Sequence, residues 1–248
     1  MRNPSAACRF LKRCSGISLA FQLVFTSLDS AVENRSKSSL QLQVVERASF
    51  FLPISLRKIL TRNQQCIEEG MDSFMSESFL SPAGRSRLEE KLMQKMKATV
   101  QSLRSRPRFS EMASDLGVVA PMVLCLNLPQ GESLKKEDFL FLLNYMTQNS
   151  STFPLVVYDV FDTAGGPDFL SGFIMAVRLR RENLSAKFGQ IYPQVMSENS
   201  SQETGPRSAL FGLSSLMYSH TINDVARIWL WAWQSANGDM AGKPAVFC

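Results

Sequence analysis

The chain is poor in the side chains on which most hydrolytic and metal-dependent enzymes rely. Its 248 residues include one histidine, His220, and five cysteines, and no C-x-x-C spacing occurs. A serine triad would have to use His220 as its base, and no G-x-S-x-G sequence is present. The glycines are scattered and no P-loop lysine follows them, so a phosphate-binding loop is excluded. Paired carboxylates stay open as acid–base candidates, because such pairs form only through the fold.

The chain also lacks a strong charge of either sign outside its first segment. The formal net charge is +5, and residues 1–31 hold four of the 27 basic residues but one of the 22 acidic residues. The rest is close to neutral, and binding of a phosphate backbone requires a concentrated basic surface. We therefore expect no nucleic-acid partner. The hydrophobic fraction of 45% is that of a folded globular protein and excludes wholesale disorder.

Residues 1–31 have the order of features found in a secretory signal peptide. A basic stretch from Arg2 to Arg13 precedes the apolar sequence GISLAFQLVF, and small residues follow it. The uncharged part is shorter than a membrane span. We predict export, to the periplasm or outside the cell; an uncleaved N-terminal anchor is the alternative. Residues 32–45 read as a polar linker and residues 46–248 as a helical domain, with no later membrane span expected.

The pattern of apolar residues after the linker predicts a mostly α fold, a single bundle of about six or seven helices with long polar loops. Helices are expected over residues 53–69, 82–104, 110–126, 134–146, 167–181 and 208–236, the last being the longest. Gly70 is expected to end the first of these, and Asn237-Gly238 the last. One segment, residues 153–161, has strand-like composition, but a single strand makes no sheet and extended coil is the alternative.

The predicted helix 85–104 carries a buried stripe and a basic face. Leu88, Leu92 and Met96 recur at helical spacing, whereas the opposite face holds a run of basic side chains: Arg85, Arg87, Lys91, Lys95, Lys97 and Arg104. A solvated surface is the plainest interpretation of this face. The alternative is a membrane surface as partner, bound through the basic helix.

His220 and Asp224 lie four residues apart on the last predicted helix, so their side chains share one face. They form either a metal-ligand pair or a buried structural pair in which the carboxylate orients the imidazole. Apolar residues surround both positions. Cys66, Cys125 and Cys248 follow the predicted signal, and we expect them to be free thiols.

Three segments resemble the zinc-dependent phospholipase C family and the related single-strand-specific zinc nucleases. FLPISLRKILTRNQQCIEEGM resembles an early helix of that family, and LGVVAPMVLCLNLPQG resembles its central helix. HTIND matches the H-x3-D pair that such enzymes place on a helix to bind zinc. The resemblance spans residues 46–236 and implies an all-α fold. It departs from the family at Ala120 and Leu124, where a second H-x3-D would be expected, and the chain has too few histidines for three zinc ions.

These observations together predict an exported all-helical protein in a non-catalytic binding or structural role, with a phospholipase C-like fold and no cofactor. One alternative is a metal-dependent phosphoester hydrolase that uses a reduced zinc site at His220 and Asp224. Another is a peripheral membrane protein held by its N-terminal segment and the basic helix 85–104.

Overall fold

The computed structural model describes residues 39–74, 82–105, 108–130, 136–157, 166, 168–198 and 205–242. The chain divides into residues 1–37 and residues 38–248. The predicted signal peptide or anchor, residues 1–31, lies outside the described residues. All regular structure described belongs to the second unit.

The second unit is mostly α and has a bundle-like arrangement, as predicted. Eight helices occur in the described part of the chain, close to the predicted six or seven, and no strand is found there. They are α1 (Leu40–Ser49), α2 (Ile54–Arg62), α3 (Gln64–Asp72), α4 (Pro82–Ser105), α5 (Phe109–Asn127), α6 (Lys136–Asn149), α7 (Phe169–Glu198) and α8 (Ala209–Ser235).

Helix α8 is a core helix whose ends follow from its flanking residues. Ser208 caps its start, because the hydroxyl oxygen accepts from the backbone N–H of Phe211 at 3.0 Å. Every residue from Met217 to Ala226 is buried. The helix ends at Ser235, just before Asn237, which has the left-handed φ of 59°. The N–H of Gly238 returns to the carbonyl of Trp233 at 2.8 Å. The predicted stop at Asn237-Gly238 is confirmed.

Helix α5 is the central helix, and it crosses α3 at very short distance. A Cβ atom on Gly70 would lie 2.1 Å from the Ser114 carbonyl oxygen, and one on Gly117 would lie 2.2 Å from that of Ile67. Both positions therefore require glycine. Gly70 lies inside α3 rather than after a helix, so its predicted role as a stop is wrong.

By length and composition alone, helix α5 is also long and apolar enough to cross a membrane. From the sequence we expected no such segment after the predicted signal peptide, so this helix was missed. Within its most apolar window, however, 67% is buried inside the bundle. Every residue from Val119 to Asn127 is buried. This burial is typical of the core helix of a bundle.

Several predicted boundaries need correction. Residues 40–45, assigned to the linker, begin α1, because Leu40, Val44 and Ala48 recur one turn apart and all are buried. The predicted helix 53–69 is two helices divided at Asn63. Helix α7 continues to Glu198, so it exceeds α8 in length.

The predicted strand is extended chain where it is described. Residues 154–157 have no regular secondary structure, and residues 158–161 lie outside the described ranges. Polar side chains of α8 form hydrogen bonds with the backbone of this segment. Ser219 accepts from the N–H of Val156 at 3.1 Å, and the Asn223 amide donates to the carbonyl of Val156 at 2.9 Å. Coil was the alternative, and residues 154–157 have that form.

Candidate functional site

Asp224 is the centre of a buried polar cluster formed by three helices. Its side chain is 1% exposed. Its Oδ2 atom accepts from Arg180 Nη2 of α7 at 2.5 Å and from Asn127 Nδ2 of α5 at 2.9 Å. Charge-assisted hydrogen bonds of this kind are stronger than neutral ones. The Asp224 side chain therefore joins α5, α7 and α8.

His220 lies one turn before Asp224 and is likewise buried. Burial lowers the pKa of the imidazole below its ordinary value, and the nearby Arg180 lowers it further, whereas Asp224 acts in the opposite direction. The imidazole is therefore neutral at pH 7. The prediction of a buried His–Asp pair missed the two residues that bind the carboxylate directly, Asn127 and Arg180.

A second buried carboxylate, Glu89 of α4, binds two more arginines of α7. Its oxygens accept from Arg178 Nη2 at 2.6 Å and from Arg181 Nη2 at 3.2 Å. The Glu89 and Arg181 side chains are each 6% exposed, whereas Arg178 is 53% exposed. The buried pair requires both charges to be satisfied, since an isolated ion inside a protein is costly. This cluster attaches α4 to α7.

Arg85 is buried at the end of α5 and does not lie on a solvated face. Its side chain is 1% exposed, and it donates to the carbonyls of Cys125, Leu128 and Pro129, the last two at 3.1 Å. The last carbonyls of a helix have no partners within it and carry partial negative charge. Burial lowers the pKa of Arg85 to about 10, so it stays charged at pH 7.

The rest of the predicted basic face is also divided among different roles. Lys95 forms an ion pair with Asp115, and Arg104 Nε donates to the carbonyl of Ser235 at 2.8 Å. Arg87 and Lys97 are exposed. The expectation of one continuous basic surface on residues 85–104 is therefore wrong at Arg85, because helical spacing alone does not show which long side chain turns inward.

The residues around Asp224 fit a zinc ion poorly. Zinc sites use three or four histidine, cysteine or carboxylate ligands. No group of three or more such residues occurs within the described ranges. Ala120 and Leu124, where the phospholipase C resemblance would place two more ligands, are buried apolar side chains on α5. Oδ2 of Asp224 already binds Arg180, whose positive charge would repel a metal ion at the other carboxylate oxygen.

The cysteines do not extend this cluster. Cys66 and Cys125 are free thiols, as expected, and Cys248 lies outside the described residues. Burial raises the pKa of Cys125 to about 11, so this thiol is not a nucleophile near neutral pH.

The sequence held weak signals for the residues that were missed. Three arginines, Arg178, Arg180 and Arg181, interrupt an otherwise apolar part of α7, and Asn127 ends the apolar run of α5. A search for buried carboxylates that could pair with them would have reached Glu89 and Asp224.

Comparison of the chain with known protein families, with characterised proteins and with solved structures finds no match.

Proposed function

We propose that this protein is an exported, non-catalytic binding or structural component whose fold resembles that of zinc-dependent phospholipase C. The observation that carries the proposal is the pairing of Asp224 with Arg180 and Asn127. In this arrangement the H-x3-D pair serves the packing of three helices. One oxygen of the carboxylate that would hold a metal ion in the alternative function is thereby used to join the helices.

Electrostatics supports the same proposal. A metal ion at the other carboxylate oxygen, Oδ1, would lie beside the Arg180 guanidinium, and their like charges would repel at short range in a buried site. A neutral His220 supplies one further ligand at most. Export is supported by the composition of residues 1–31, with their basic and apolar segments in the order of a signal peptide.

The experiment that tests the proposal is elemental analysis of the protein, purified without a chelator or a histidine tag. The expected result is a folded protein with far less than one equivalent of zinc or any other transition metal. His220→Ala serves as the paired variant, with Lys187→Ala on the exposed face of α7 as its control. Stoichiometric metal in the wild type and the control, lost in His220→Ala, would refute the proposal and support the hydrolase.

Export is tested separately, by the mass of the mature chain from the periplasm or medium of an expressing cell. A mass that corresponds to cleavage near residue 31 is expected. An intact N-terminus on a cytoplasmic protein would refute this part of the proposal without affecting the assignment of Asp224.

A further inference from the structure

The end of the bundle formed by α2, the start of α5 and the turn after α8 combines features that the Asp224 cluster does not use. A pocket of about 390 Å³ opens there. It is lined by Ser55 and Ile59 of α2, by Leu103, Phe109 and Trp233, and by residues 236–239. Its volume lies within the range of ligand-binding pockets. Its lining is mostly apolar.

The turn at the base of this pocket is fixed by side-chain hydrogen bonds. The Ser55 hydroxyl donates to the carbonyl of Asp239 at 2.7 Å, and Trp233 Nε1 donates to the same oxygen at 2.8 Å. Gly238 packs against the indole, since a Cβ atom there would lie 2.2 Å from Trp233 Cε2. The floor of the pocket is therefore formed in advance of any ligand.

Large apolar side chains are exposed around the pocket. Ile54, adjacent to the wall residue Ser55, is 45% exposed, and Phe109 is 41% exposed. Clusters of exposed apolar residues mark sites of interaction with proteins, ligands or membranes more often than isolated ones do.

Basic side chains surround these apolar ones. Helix α2 carries Arg57, Lys58 and Arg62 and no acidic residue. Lys58 and Arg62 follow Ile54 at intervals of four residues, so the three lie on one exposed stripe beside the pocket wall. At the other side Arg104 is held against the carbonyl of Ser235.

The acidic groups near the pocket do not cancel this charge. Asp239 lies in the closing turn, and its Oδ1 atom accepts from the N–H of Ala241 at 2.9 Å. Glu111 forms an exposed ion pair with Arg108, next to Phe109. Lys58, Arg62 and Arg104 remain in excess.

We propose that this basic and apolar end, made of Ile54, Lys58, Arg62, Arg104 and Phe109 beside the pocket, docks on an anionic lipid surface. Exposed aromatic and aliphatic side chains beside lysine and arginine are what a peripheral protein presents to the boundary between headgroups and acyl chains. The basic side chains attract lipid phosphates, while Ile54 and Phe109 enter the apolar layer. The pocket between them receives one acyl chain or headgroup.

This inference rests on the proposal that the protein acts by binding, and it names the partner. It differs from the expectation that the basic helix 85–104 meets the membrane, because Arg85 of that helix is buried and α2 supplies most of the charge. Metal analysis decides the proposed function and vesicle binding decides this inference, so the two fail independently.

The test is co-sedimentation of the full chain with phosphatidylcholine vesicles, with and without about one third phosphatidylglycerol. Wild type is expected to bind the anionic vesicles, more weakly as salt is raised, and to bind neutral vesicles at least about tenfold less. Lys58→Glu/Arg62→Glu and Ile54→Ser/Phe109→Ser should each lower binding by about tenfold or more.

Matched double variants on other faces keep the test specific. Arg87→Glu/Lys97→Glu makes the same charge change on exposed positions of α4. Met175→Ser/Leu179→Ser removes the exposed apolar pair of α7, which is 63% and 52% exposed. Both should bind as wild type does, and all variants should unfold at the same temperature. Each variant also has the same N-terminus as the wild type, so binding through the N-terminal segment alone would leave all of them equal.

A second measurement tests insertion directly. The wild-type fluorescence from Trp229, Trp231 and Trp233 is the reference. The fluorescence that Ile54→Trp adds to it should be quenched by brominated lipids in the vesicles, and the fluorescence that Met175→Trp adds should not. Equal binding by test and control variants, or no difference in quenching, would overturn the inference. So would salt-sensitive binding to immobilised polyglutamate without binding to vesicles, which would indicate an acidic protein partner instead.

Discussion

Removal of either member of the Asp224–Arg180 pair should destabilise the fold, and the two losses should be unequal. Arg180→Met leaves a carboxylate that is 1% exposed, with the Asn127 amide as its one remaining donor among the described residues. Asp224→Asn leaves a guanidinium whose side chain is 26% exposed and can be hydrated in part. A buried charge without a partner is the more costly of the two states.

The expected magnitudes follow from these exposures. Arg180→Met should lower the free energy of unfolding by about 3–5 kcal/mol, the range for breaking a buried ion pair. Asp224→Asn should lower it by about 1–2 kcal/mol, since a neutral acceptor remains and water screens the arginine. The double variant Arg180→Met/Asp224→Asn should be more stable than Arg180→Met alone, because it removes the isolated carboxylate.

Urea unfolding at pH 7 measures all three variants, with Arg178→Met as the control on the same helix. Arg178 is 53% exposed, and its partner Glu89 keeps Arg181, so this variant should lose less than about 1 kcal/mol. A loss in Asp224→Asn equal to that in Arg180→Met would refute the reasoning. So would a double variant whose loss is the sum of the single losses.

Three further predictions follow from other parts of the fold. In urea unfolding, Arg85→Met should lower the free energy of unfolding by more than about 2 kcal/mol, because buried carbonyls lose their donor. Arg87 is exposed on the same helix, so Arg87→Met should lower it by less than about 0.5 kcal/mol. Gly117→Ala should lower the thermal midpoint, because its Cβ meets backbone, whereas Gly189→Ala, with open space around it, should raise it slightly. The pKa of His220, followed by NMR of the single histidine, should lie below the ordinary 6.5. The contribution of His220 to the free energy of unfolding is then fully present above about pH 6.5 and declines as the pH falls toward the folded-state pKa. A pKa at or above about 6.5 would contradict this.

The fold could be predicted well wherever a helix has one apolar face and clear end signals. Helix α4 has both, with Pro82 at its start and Leu88, Leu92 and Met96 in the core. Helix α7 was predicted too short, because beyond Arg181 its apolar residues, such as Leu184 and Phe188, are separated by polar ones. The start of α1 was missed because its amphipathic pattern is short and directly follows serine-rich residues, which are typical of a linker.

The candidate site could be predicted only in part, because its members come from distant parts of the chain. His220 and Asp224 share one helix, and spacing alone placed them on one face. Asn127 and Arg180 reach Asp224 through the packing of α5 and α7, which local patterns do not encode. Arg85 has the sequence context of a surface residue, and only the free carbonyls at the end of α5 show why it is buried.

We propose that Asp224 serves an internal ion pair with Arg180 and not a metal site. A zinc titration of the folded protein, followed at the imidazole resonances of His220, tests this. These resonances should stay unchanged at one equivalent of zinc. A change that saturates at one equivalent, and that Asp224→Asn abolishes while the protein stays folded, would contradict it.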